Sequence, residues 1–147
     1  MSKEFVANVE ADMKAPPDQV WEALVTPEII KQYMFGATVT SSFHVGEPIV
    51  WKGEWKGKPY EDRGKILELE PERVLSYSHF SPLEGKPDKP ENYHTVRIEL
   101  SKRKGGTHVS LSQDKNPNDE AREHAEKNWR TMVDGLKKVV EHAPTQR

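Results

Sequence analysis

The chain has 147 residues, the size of one domain, and such a domain buries about 68–70% of the surface its unfolded chain exposes. Twenty-two basic side chains face twenty-four acidic ones for a formal net charge of −2, which gives no electrostatic reason to expect nucleic acid or anionic lipid as the main partner. The absence of cysteine excludes disulfides, thiolate metal sites and cysteine nucleophiles. No apolar run approaches the roughly 20 residues of a membrane span. The start, MSKEFVANVEADMK, is charged and strand-like rather than a basic-then-apolar signal peptide, so a cytoplasmic location is expected.

The first segment alternates. Phe5, Ala7, Val9, Ala11 and Met13 share one parity, and Glu4, Asn8, Glu10 and Asp12 the other, which predicts a strand with one buried face. Pro16 and Pro17 stop it and suit a helix start, where the N–H groups have no partner to lose. Val20, Trp21, Leu24 and Val25 follow at helical spacing. Thr26-Pro27-Glu28 restarts the pattern, with Thr26 as a cap and Ile29, Ile30 and Tyr33 behind it, and Gly36 ends this second short helix. Residues 37–43 read as a strand. The next, 48–56, places Ile49, Trp51, Gly53 and Trp55 on one face. Gly57-Lys58-Pro59 is a turn signal. Residues 60–70 are a strand whose parity breaks between Ile66 and the Leu67/Leu69 pair, which predicts a bulge near Glu68. Pro71-Glu72-Arg73 turns the chain into a strand over 74–80. Residues 81–92, with three prolines and a glycine, form a surface loop. Two strands joined at Lys104-Gly105-Gly106 follow, with Val96, Ile98, Leu100, Val109 and Leu111 facing inward.

The final element is a helix of about 25 residues, capped by Asn116 with Pro117 in its first turn and ending near His142. Ala121, Ala125, Trp129, Met132, Val133, Leu136 and Val140 form its apolar stripe. Gly135 costs about 1 kcal/mol against alanine in mid-helix, which predicts a close approach of the sheet there. The expected architecture is α+β. A curved antiparallel sheet of about six or seven strands wraps the long C-terminal helix, with two short helices after the first strand, in a single domain over 1–147. A bent sheet and a rod leave a gap unless side chains fill it, and a ligand site is expected there.

This organisation resembles the helix-grip fold of the START/Bet v allergen-like (SRPBCC) superfamily. Within it, the pattern is similar to the branch named for the activator of heat-shock-protein-90 ATPase. Ala15–Leu24 (APPDQVWEAL) matches the first-helix signature, and Thr26-Pro27-Glu28 with Ile30 and Tyr33 the second helix. Gly64–Glu68 leading to Pro71–Leu75 matches a strand-turn-strand motif, and Gly106–Leu111 leading to Asn128-Trp129 the last strand and long helix. Three positions depart from that pattern: Phe43–Glu47 replaces an Arg-x-Gly-Gly turn, Lys127-Asn128 precedes Trp129 in place of Gly-Gly, and His79 stands where tryptophan is common. They make the gap more polar than in the family at large. The superfamily includes lipid carriers, hormone receptors, cyclases and chaperone activators, so the resemblance implies the fold more than the function.

Trp51, Trp55, Tyr77 and Trp129 read as an aromatic wall for an apolar ligand or as plain core, with Met132, Val133 and Leu136 beneath them. His79 and His94 share parity with inward residues of neighbouring strands. They read as polar contacts or an acid/base pair in the gap, or as hydrogen-bonded histidines near its mouth. Asn128, at the edge of the stripe, reads as a ligand contact or a satisfied amide. Glu61, Arg63, Arg97 and Glu99 are expected to pair across the solvent face. No catalytic set, metal spacing or phosphate loop is present, and no cofactor is expected. Three functions follow: a binder of a small hydrophobic or lipid-like ligand, a chaperone-interaction protein, and a cyclase or hydratase using His79 or His94 with Tyr77 orienting it. The chain is expected to be a monomer or a homodimer.

Overall fold

A computed structural model describes residues 5–34, 36–81, 85, 87–116 and 118–142; the side chains of Trp55, Pro90 and His142 are outside that description. The elements are β1 (Phe5–Met13), α1 (Pro17–Val25), α2 (Pro27–Tyr33), β2 (Thr38–Ser41), β3 (Pro48–Trp55), β4 (Lys58–Glu70), β5 (Val74–His79), β6 (His94–Arg103), β7 (Gly106–Asn116) and α3 (Asp119–His142), with one 3-10 turn at Pro90–Asn92. The seven strands form one sheet in the order β1-β7-β6-β5-β4-β3-β2, antiparallel throughout. This is the α+β helix-grip arrangement expected from the sequence.

Register puts one parity of each strand on the helical side. Leu75 opposes Ile98, Ile98 opposes Leu111, and Tyr77 opposes Val96, all of them buried. The pairing of β4 with β5 shifts between Ile66 and Glu68, where one extra residue lets Ile66 stay buried while Leu67 turns out to solvent. The mixed parity of this segment is therefore a bulge. On the outer face Arg97 pairs with Glu68 and Glu99, and Arg63 with Glu61 and Asp88. Such exposed pairs contribute little each.

Both short helices begin with proline in the first turn. Thr26 occupies the cap position of α2 through its backbone: its carbonyl accepts the N–H groups of Ile29 and Ile30, and its side chain makes no capping bond. The cap of α3 is Asn118 rather than Asn116. Asn118 Oδ1 accepts the Ala121 N–H at 2.8 Å, whereas Asn116 ends β7 and donates its side-chain amide to the Phe5 and Gln113 carbonyls. The amide at 116 is used to tie β7 to β1, so the helix starts later; Pro117 lies outside the described residues.

Met132, Val133, Leu136 and Val140 of α3 are buried in one cluster with Val9, Val20, Tyr33 and Leu111. Each such side chain contributes about 1.5–3 kcal/mol by leaving water. The N-terminal half of the stripe is different: Ala121, Ala125 and Trp129 are only half-buried. Gly135 is small for a reason other than the sheet. A Cβ there would sit 3.1 Å from Tyr33 Cβ, so the glycine lets α2 approach α3. Side chains of α3 also occupy backbone groups along β1: Glu126 accepts the Asn8 N–H at 3.1 Å, Glu141 accepts the Lys14 N–H at 2.8 Å, and Arg130 donates to the Glu10 carbonyl at 3.0 Å.

Candidate functional site

The inner face of β3, β4 and β5 carries an aromatic and polar cluster. Register sets Trp51 of β3 opposite Asp62 of β4, and Ile49 opposite Gly64. The Trp51 ring lies 5.1 Å from Tyr77, tilted by 50°, and 5.0 Å from the His79 imidazole in an edge-to-face arrangement at 69°. His79 Nε2 is 3.0 Å from Asp62 Oδ2, and these side chains are only 19% and 14% exposed. The neighbouring backbones are close here. A Cβ at residue 64 would fall 1.7 Å from the Ser78 carbonyl oxygen, so only glycine lets β4 and β5 meet in this way.

Beside this cluster, between sheet and helices, is an apolar cavity with about 20 Å³ of free volume. Its wall includes Leu24, Tyr33, Met34, Phe43, Trp51, Tyr77 and Met132. That volume holds about one water molecule. Side chains therefore fill nearly all of the gap between rod and sheet. Two of the wall residues stand at irregular backbone: Met34 follows the last turn of α2, and Phe43, half-buried, has φ 54°, in the left-handed region that bulky residues rarely occupy. Burial pushes the Tyr33 and Tyr77 phenols well above their ordinary pKa, so both stay protonated at neutral pH. The Tyr33 hydroxyl donates to the Ala23 carbonyl at 2.8 Å.

A second polar group lies toward the N-terminal half of α3. His94, paired in register with His79, is buried, with Nδ1 2.8 Å from the Asp114 carbonyl. Trp129 Nε1 donates to Gln113 Oε1 at 2.6 Å, and Gln113 is within 3.4 Å of His94 Nδ1 and 3.3 Å of Asn116 Oδ1.

The residues singled out in the sequence are thus separated into four groups. Trp51, Tyr77 and Met132 border the cavity, and His79 stands against Trp51. His94 and Trp129 join through Gln113 in the neighbouring network. Val133 and Leu136 are buried in the core cluster outside the cavity wall. Asn128 is exposed to solvent on α3, because the inward stripe passes through Trp129 and Met132 and residue 128 falls beside it. The Trp55 side chain lies outside the described residues. Sequence reasoning missed Asp62 and Gln113. Asp62 shares parity with Ile66 along β4 ahead of the bulge, and Gln113 shares parity with Val109 and Leu111; a polar residue in an apolar parity was the available signal.

A curved seven-stranded sheet holding a C-terminal helix defines the helix-grip class of α+β domains. The family model for "Activator of Hsp90 ATPase homolog 1-like protein" matches residues 14–141, and the chain belongs to that family. It is similar to ChR145 of Cytophaga hutchinsonii, whose solution structure shares 53% identity over 99% of this chain and 100% of that one, with a TM-score of 0.85. The Aha1 dimer of Colwellia psychrerythraea shares the fold at 20% identity and a TM-score of 0.72, covering 95% and 98% of the two chains. DynU16, a protein of the dynemicin biosynthetic locus, shares it at 17% identity and a TM-score of 0.77, over 93% of this chain and 47% of the other. No curated protein matches the chain. Among the described residues no helix is long and apolar enough to cross a membrane, and no cluster of three or more ligating side chains is placed to hold a metal ion.

Proposed function

We propose that this protein binds a small, largely hydrophobic molecule between the sheet and the helical layer. The observation that carries this reading is the cavity wall: strands β3, β5 and β6, helices α1, α2 and α3, and the segment after β2 all turn apolar or aromatic side chains toward one point. In the present conformation the space takes about one water, so the ligand enters by displacing Met34 and Phe43, the wall residues at irregular backbone. Apolar burial at about 25 cal/mol per Å² drives it.

Native mass spectrometry of protein purified without denaturation, with a titration of naphthalene-based probes, tests this reading. Saturable one-to-one binding, lost when Ile98→Trp fills the cavity of a folded variant, is the expected result. Absence of binding by any apolar probe refutes it. A second reading, a chaperone partner, is favoured by the family match over residues 14–141. It predicts stimulation of the chaperone ATPase by this chain, and no stimulation at high molar excess removes it. A cytoplasmic location and a monomer or homodimer are consistent with either reading.

A further inference from the structure

We propose that Asp62 and His79 are the polar anchor of this site and select an aromatic ligand carrying a hydrogen-bond-donating hydroxyl group. The inference rests on the ligand-binding reading and adds the chemistry of the ligand. The two side chains bond to one another through Nε2 and Oδ2, and their remaining polar atoms, Asp62 Oδ1 and His79 Nδ1, are buried with no hydrogen-bond partner among the described residues. A polar atom buried in that way is costly, and most such atoms in folded proteins find a partner. Apart from His79, the neighbours of Asp62 are apolar or aromatic: it faces Trp51 across the strand pair, with Gly64 and Ile66 next along its own side of β4. Asp62 and His79 do not themselves line the cavity, but Trp51, a wall residue, is the ring against which His79 rests, so a ligand that displaces the wall on that side brings its atoms to them.

The type of ligand group follows from the donor and acceptor inventory. A carboxylate only accepts, so the bond to Asp62 uses Nε2 as the N–H donor, and in the tautomer with its proton there Nδ1 carries a lone pair. Both free positions are acceptors. A hydroxyl O–H donates to one of them, whereas a carbonyl, an ether oxygen or an anion is repelled at either. The surrounding Trp51 and Tyr77 rings, tilted 50° to each other, favour an aromatic body on that hydroxyl through edge and face contacts.

The test compares 2-naphthol, 2-methoxynaphthalene and naphthalene by isothermal titration calorimetry. The wild-type protein is expected to prefer 2-naphthol to its methyl ether by about tenfold, equivalent to about 1.4 kcal/mol. Asp62→Asn and His79→Phe are each expected to cut that preference below about threefold. In the unmutated protein, ¹⁵N NMR of the His79 imidazole is expected to shift on adding 2-naphthol and to stay put with the methyl ether. Equal wild-type affinity for alcohol and ether, an unmoved imidazole signal, or a preference that survives in a folded Asp62→Asn or His79→Phe variant overturns the anchor while leaving ligand binding in place. Failure of all three probes to bind overturns both.

Discussion

Met132→Ala separates packing from function at the point where the helix meets the cavity. Met132 is 2% exposed, belongs to the core cluster and forms part of the cavity wall. Truncation removes three side-chain heavy atoms beyond Cβ. At about 0.8 kcal/mol per methylene-sized group the transfer loss is about 2.4 kcal/mol, and the void left behind brings the expected cost to about 2–5 kcal/mol. For a domain of this size each kilocalorie lowers the melting temperature by roughly 2–4 °C, so a drop of about 4–20 °C is expected in differential scanning calorimetry. The lost side chain is added to a space of only about 20 Å³, so the same variant is expected to take up naphthalene more tightly than wild type even as it melts earlier. A control, Asn128→Ala, changes an exposed residue of the same helix and is expected to stay within about 0.5 kcal/mol of wild type. A melting temperature for Met132→Ala within 1–2 °C of wild type, roughly the effect of a surface change, refutes the packing described between α3 and the sheet.

Gly64→Ala is expected to destabilise the fold by more than about 2 kcal/mol, because its Cβ would collide with backbone rather than with a side chain that can move aside; a chemical denaturation curve indistinguishable from wild type refutes the close approach of β4 and β5. His108 bonds to the Asp12 carboxylate at 2.7 Å and the Glu10 carboxylate at 2.8 Å, and these acceptors raise its pKa above the ordinary value of about 6.5. A raised folded-state pKa means the stabilisation is complete below about pH 6.5 and is lost as pH rises through the folded value. Between pH 6 and 8.5 the wild type is therefore expected to lose more stability than His108→Gln in urea unfolding, with the difference shrinking in high salt. Identical pH dependence in the two proteins rules out that contribution.

Most of the fold was legible because alternation and helical spacing survive folding unchanged. The parity of β1, β6 and β7, the prolines opening α1 and α2, and even the bulge at Leu67 follow from local pattern. Errors arose where a side chain had a choice of partner. Asn116 reads as a cap, yet a strand neighbour 111 residues away claims its amide. Gly135 reads as sheet contact, yet Tyr33 of α2 occupies the space. The candidate site was legible only by half. Trp51, Tyr77, His79 and His94 declare their inward side by parity, whereas the bond between Asp62 and His79 depends on how β3, β4 and β5 align, which no local window contains. How fully the gap is filled depends on the fit of wall residues from six elements and two connecting segments, and composition carries no information on that.

The bonds from Glu126, Arg130 and Glu141 to the backbone near β1 also bear on how the molecule keeps apart from its own copies. An outermost strand with vacant amides and carbonyls invites another chain to add itself and propagate fibrils. Here side chains of the C-terminal helix occupy three of those backbone groups. Proteolysis that detached it would uncover the hydrophobic floor and the strand margin in a single event.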